Sequence, residues 1–254
     1  MLALWINVDE CIRRKYFMLK QFENIKFITK NKRISAITPD DIDEYVDDRD
    51  LPYKCDPSNN HFKNCKNCKI EYCTLISHML AIEEGYKSNE DWFIIFEDDT
   101  VIAHEINIEQ LLKTIPDDAE VLQLHCCMGP TVEKLYDVYK QGAKWIQWKM
   151  ILPSASGYIV SRKAAEKMLK LYKTNKNTWC FKDSKSCRLA DVMTYETCKT
   201  YIHTYPVFYS NIVYGSLIHP DHLPSHEYAN NIIKNIINND STGSHTFLTK
   251  LNIN

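Results

Sequence analysis

Residues Asp91–Asp99 read DWFIIFEDD. The apolar run Trp92–Phe96 has the length of a strand, and it is unbroken where a half-buried strand would alternate. That is the signature of a strand covered on both faces of its sheet. The run stops abruptly at Glu97, Asp98 and Asp99, so three carboxylates stand where a buried strand ends. In open α/β sheets ligands bind at the carboxyl ends of strands, which makes this the first place to look for chemistry.

The flanking sequence supports an α/β architecture. Upstream, Tyr72, Leu75, Ile76, Met79, Ile82 and Tyr86 mark one face of a helix over Glu71–Lys87. Further upstream, Leu2–Val8 reads as a buried strand, followed by a helix carrying Ile12, Tyr16 and Leu19. Asn24–Ile37 holds two short β-type runs, IKFI and RISAI, and Thr38–Ser58 reads as loop with a short helix begun at Thr38-Pro39. Downstream, a helix is expected at Ile108–Ile115, strands at Val121–His125, Trp145–Trp148 and Gly157–Val160, and a helix RKAAEKMLKLY capped by Ser161. After a polar loop at Thr174–Ser186, a helix over Leu189–Thr200 and a β-like stretch over Tyr205–Val213 complete the pattern. The expected fold is α/β, one domain over residues 1–229 with a mainly parallel central sheet flanked by helices, and residues 230–254 as a tail or peripheral helix.

Composition narrows the function. The chain has 254 residues, 44% hydrophobic and 25% charged, with a net charge of −2. It lacks the cationic excess of a nucleic-acid binder and any apolar stretch long enough to span a membrane. Its six glycines are scattered singly, which disfavours Gly-rich phosphate loops; a nucleotide would have to be held another way, for which a metal is the natural substitute. The opening MLALWINVDE has no basic segment or cleavage site of a signal peptide, so a cytoplasmic location and reduced thiols are expected.

Side-chain chemistry supplies the candidate residues. Glu97 and Asp99 lie on one side of an extended segment and suit a hard divalent cation, with Asp98 pointing to the other side; the alternative is a solvated acidic turn. HPDHLPSH presents His219, His222 and His226 in a proline-bearing loop, where one imidazole could complete the carboxylate site; a private zinc site and unrelated surface histidines are the alternatives. Cys55, His61, Cys65, Cys68 and Cys73 leave zinc, a disulfide and free thiols open. Arg13 and Arg14 begin the first helix beside the first strand's carboxyl end, where a guanidinium could meet a diphosphate or base; for one of the two the alternative is a solvated helix face.

Five segments in order resemble glycosyltransferase family 25: WINVDECIRRKYFML, RISAI, CTLISHMLAI with Ser77 and His78, WFIIFEDDTVI, and SGYIVSRKAAEKML. The correspondence covers roughly residues 4–210 and fades beyond Tyr209. This resemblance implies a GT-A, Rossmann-like fold and a nucleotide-sugar donor, UDP-glucose or UDP-galactose, bound with Mn²⁺ (or Mg²⁺). By position it puts Asn7, Val8, Arg13, Glu97 and Asp98 near the nucleotide, and Glu97, Asp99 and His219 at the metal. Asp191 resembles the family's acidic residue near the acceptor, where a carboxylate could serve as base; it could equally be a plain helix N-terminal Asp. Trp148, Gly157 and Tyr158, with Trp145, are candidate acceptor contacts, the alternative for strand aromatics being the core.

The implied acceptor is hydroxylysine or galactosylhydroxylysine of a collagen-like protein, with a lipopolysaccharide-type oligosaccharide as runner-up. The short lysine-rich chain would fit a large DNA virus acting in the host cytoplasm, and a homodimer is admitted. Outside the class stand a metal-dependent phosphohydrolase and a lectin-like module.

Overall fold

The computed structural model describes residues 1–50, 68–174, 178–184, 188–216, 218, 220–240 and 247–251. The strands are β1 (Leu2–Asn7), β2 (Lys30–Ser35), β3 (Trp92–Glu97), β4 (Thr100–Ile102), β5 (His104–Ile106), β6 (Val121–Gln123), β7 (Trp145–Gln147), β8 (Gly157–Ser161), β9 (Thr200–His203), β10 (Phe208–Ser210) and β11 (Leu248–Lys250). The helices are α1 (Ile12–Phe22), α2 (Cys68–Lys87), α3 (Ile108–Leu112), α4 (Gly129–Lys140), α5 (Arg162–Tyr172), α6 (Ala190–Thr197) and α7 (Leu223–Asn239). A seven-stranded sheet runs β2-β1-β3-β8-β6-β9-β7, with only β8 and β7 running against the other strands. It is the expected α/β class with a mostly parallel sheet.

The reason for the unbroken apolar run is visible at the sheet centre. Phe93, Ile94, Ile95 and Phe96 are all fully buried, covered by helices on both faces. α2 lays Leu75, Ile76, Met79 and Ile82 into the core, as its 3.6-residue spacing requires. Its Gly85 crosses β3 so closely that an added Cβ would stand 2.3 Å from the Phe93 ring. Gly85→Ala is therefore expected to destabilise the fold by about 1–2 kcal/mol, overpacking outweighing the gain in helix propensity. Urea unfolding checks this; a stabilised variant would mean the ring can swing aside. Ser161 caps α5 as its sequence foretold, its hydroxyl accepting from the Ala164 N–H at 3.1 Å.

Several boundaries differ from the sequence reading. IKFI forms no strand, and the segment after Pro39 carries 3₁₀ turns at Ile42–Glu44 and Asp48–Asp50. α4 begins at Gly129-Pro130, a pair that reads as a turn, because proline fits the first helical turn, whose N–H groups have no partner inside the helix. The same device starts α7 within the supposed proline loop, so His226 sits on a helix. α7 also runs through the expected boundary at residue 229, buries Ile233 in the core, and is followed by β11 paired antiparallel to β5. Residues 230–251 are thus built into the fold where they are described.

Candidate functional site

The sheet register assembles the site. β1 pairs with β3 so that Ile6 faces Glu97, which places Asn7 beside Asp98 one step further on. β8 runs antiparallel on the other flank of β3, and the Glu97 N–H donates to the Ser156 carbonyl at 3.0 Å. A cavity of about 480 Å³ opens over these strand ends. Asn7, Val8, Arg14, Glu97, Asp98, Asp99 and Asp191 line it, joined by His78 from α2 and by His222 and His226 at the start of α7. A larger groove of about 870 Å³ lies between residues 46–49 and the C-terminal turns of α5 and α6, away from the strand ends.

Each carboxylate has a different environment. Asp98 is buried and fully engaged: Asn7 Nδ2 and Arg14 Nη1 both donate to it at 2.7 Å. Burial pushes its pKa up, against the pull of Arg14 and Asn7. Arg14 Nη2 donates to the Gly215 carbonyl at 2.6 Å, and Gly215 sits at φ 71°, a conformation suited to glycine. Asn7 is oriented in turn by Arg33, whose Nε donates to its Oδ1 at 2.8 Å.

Glu97 meets His78 Nε2 at 3.2 Å, while His78 Nδ1 lies 2.9 Å from the Tyr158 hydroxyl. An ionised carboxylate only accepts, so Nε2 carries the proton that faces Glu97. Burial works to raise the Glu97 carboxyl; the hydrogen bond and charge of His78 and the Ser156 hydroxyl outweigh it and hold Glu97 below its usual value.

Asp99 is the unsatisfied member. Its Oδ1 is buried without a hydrogen-bond partner, and its Oδ2 stands 3.8 Å from an Arg14 already bonded to Asp98. Burial, then the charges of Glu97 and Asp98, push its carboxyl up to about 7. Buried oxygen donors short of positive charge fit a hard divalent cation. Among the described residues no three His, Cys, Asp or Glu side chains converge closely enough to hold a metal by themselves. His219 lies outside the described residues; His222 and His226 have ring centroids 6.3 Å apart at the cavity wall.

Four expectations are corrected. Arg13 is exposed and the buried guanidinium at the site is Arg14, because one residue along a helix turns the side chain by about 100°. Asp98 does not turn away from the site; it lines the same cavity, on the side of Asn7 and Arg14. Trp148 is core, donating its indole N–H to the Leu152 carbonyl at 2.9 Å. Gly157 and Tyr158 are core as well: a Cβ on Gly157 would stand 2.6 Å from Phe208, and Tyr158 is fully buried beneath His78. Cys55, His61 and Cys65 lie outside the described residues, as does the Cys68 side chain; Cys73 is a free buried thiol pushed up to about 12 by burial.

Sequence reasoning missed a hydrogen-bonded turn in the cavity wall. Ser154 Oγ lies 2.6 Å from His125 Nδ1, and burial takes His125 down to about 4, which keeps its ring neutral. Asp191 Oδ2 accepts from the Ser154 N–H at 3.1 Å and its Oδ1 from the Val192 N–H at 2.8 Å. Only the proline and paired serines of PSAS hinted at a turn here.

The family match defines the class, a glycosyltransferase. The model of glycosyltransferase family 25 (LPS biosynthesis protein) matches residues 2–183, and the chain belongs to that family. A search of curated proteins gave no match. Among solved structures, A197 from STIV is similar at 10% identity, over 79% of this chain and 80% of its own, with a TM-score of 0.38. Mouse xyloside xylosyltransferase 1 in its apo form is similar at 12% identity over 65% of this chain, with a TM-score of 0.31; the match spans 55% of the mouse chain. No helix among the described residues is long and apolar enough to cross a membrane.

Proposed function

We propose that this glycosyltransferase moves a hexose, glucose or galactose, from a UDP-sugar to a hydroxyl acceptor, with Mn²⁺ (or Mg²⁺) held at Asp99 and Glu97. The observation that carries this reading is the buried, unpartnered Asp99 oxygen beside Glu97 and Asp98 at a strand end. A divalent cation there supplies Lewis-acid stabilisation of the leaving diphosphate.

The chain's own residues do the rest. Arg14 cancels the charge of Asp98 and ties the acidic turn to Gly215, while His78 holds the Glu97 carboxylate in one orientation. Ile37 and Pro39 add apolar surface near Val8, suited to a nucleoside. The acceptor we favour is hydroxylysine or galactosylhydroxylysine in a collagen-like chain; the family's description, LPS biosynthesis, favours a bacterial-type oligosaccharide as the second reading.

UDP release from UDP-glucose and UDP-galactose, measured with each acceptor and with Mn²⁺ or EDTA, tests this. Acceptor-stimulated, Mn²⁺-dependent release is expected. Phosphate-ester hydrolysis without an acceptor, or binding without turnover, would sink the assignment.

A further inference from the structure

We propose that Ser154 is a positioning residue for sugar transfer, and that Asp191 acts through it as the brace of a strained turn instead of as the base that deprotonates the acceptor. This rests on the glycosyl-transfer reading of the same cavity. Ser154 has φ 132°, a conformation that side-chain-bearing residues rarely adopt and that persists only where the surroundings impose it.

Two elements impose it here. From α6, Asp191 and Tyr195 lie four residues apart, on one helix face. Asp191 Oδ2 accepts the Ser154 N–H, and the Tyr195 hydroxyl donates to the Ser154 carbonyl at 2.8 Å. From the end of β6, Gln123 Nε2 shares its two N–H groups among the carbonyls of His125, Leu152 and Ser154, at 2.7, 3.1 and 3.2 Å. His125 takes the Ser154 hydroxyl, which also meets the Ser156 hydroxyl at 3.0 Å.

What the brace fixes is the catalytic wall. Ser156, two residues on, accepts the Glu97 N–H and binds the Thr100 hydroxyl through the same carbonyl. Pro153, Ser154, Ala155 and Ser156 all line the cavity beside Glu97 and Asp191. The path from Asp191 to the reacting atoms therefore runs through Ser154 to the acidic strand end. Both oxygens of Asp191 already accept backbone N–H groups, the arrangement of a structural clamp.

The test is a double-mutant cycle with a pH profile. Asp191→Asn keeps one of the two acceptor bonds and is expected to lower kcat about tenfold while retaining the acid limb of the pH–rate profile. Ser154→Gly adopts φ 132° without strain, so in that background Asp191→Asn should cost less than twofold. Loss of the acid limb would make Asp191 the base, and an equal penalty in both backgrounds would make the two residues independent; either overturns the proposal. Hydrogen exchange of the Leu152, Ser154, Ala155 and Ser156 amides is the readout that needs no turnover: Asp191→Asn should speed it at least tenfold there and not in β1 or β3. Unchanged exchange refutes the brace even if Ser154→Gly fails to fold. A wild type inactive with every UDP-sugar, but with the exchange effect present, would instead refute the transferase reading.

Discussion

Replacing Asp99 by asparagine is expected to lower sugar transfer by about 10³-fold and, in the metal-free protein, to raise stability at neutral pH. Removing one preorganised electrostatic contact to a developing charge costs on the order of 10²–10³ in rate, and losing the cation altogether belongs at the upper end. The opposite effect on stability follows from the pKa. Asp99 is pushed from 3.8 to about 7 by burial and by its acidic neighbours. The folded state then holds this proton more tightly than the unfolded chain, so the stability the group contributes is full below about pH 4 and is lost as pH rises through 7. Asparagine does not titrate and escapes the loss. Unfolding temperature in EDTA should therefore fall between pH 4 and 7 more steeply for wild type than for Asp99→Asn. Mn²⁺ should raise it for wild type only, by mass action on the folded state. An Asp99→Asn variant still stabilised by Mn²⁺ would place the cation elsewhere.

The acidic strand end was legible in the sequence because two independent patterns coincide there: continuous apolarity, which demands a sheet covered on both faces, and carboxylates at the point where that run stops. The residues that complete the site were harder to read because their placement depends on other elements. Arg13 and Arg14 are equivalent in composition and propensity; only the rotation of α1 relative to β3 decides which one is buried, and Asp98 is the partner that decides it. Trp148, Gly157 and Tyr158 have the chemistry of a sugar platform, yet β8 is buried along its whole length, so its aromatic and its glycine serve packing. The His125–Ser154 contact joins positions 29 residues apart, and the Asp191–Ser154 contact positions 37 apart, with no local pattern linking either pair. Helices α4 and α7 were obscured by prolines that punctuate a sequence as turns but here occupy the first helical turn.

The second large effect should come from Arg14→Met, expected to destabilise the protein by about 3–5 kcal/mol, the usual consequence of leaving a buried charge without its partner. The Arg14 and Asp98 side chains are each only 8% exposed, so water cannot take over the lost contact. The removal would also free the Gly215 carbonyl and leave Asp98 and Asp99 as adjacent acids with nothing between them. Arg13→Ala, one residue away but exposed, should stay within about 0.5 kcal/mol of wild type. Lysine at position 14 should rescue only part of the loss, since a single ammonium lacks the planar fork that reaches Asp98 Oδ1 and the Gly215 carbonyl together. If the penalty is the stranded charge, Asp98→Asn should recover stability in the Arg14→Met background while destabilising wild type, a reversal of sign that lost packing alone cannot produce. Denaturant unfolding of the two single variants and the pair measures it: additive losses would mean that Arg14 supports the fold through its volume and its bond to Gly215, and that Asp98 tolerates burial without it.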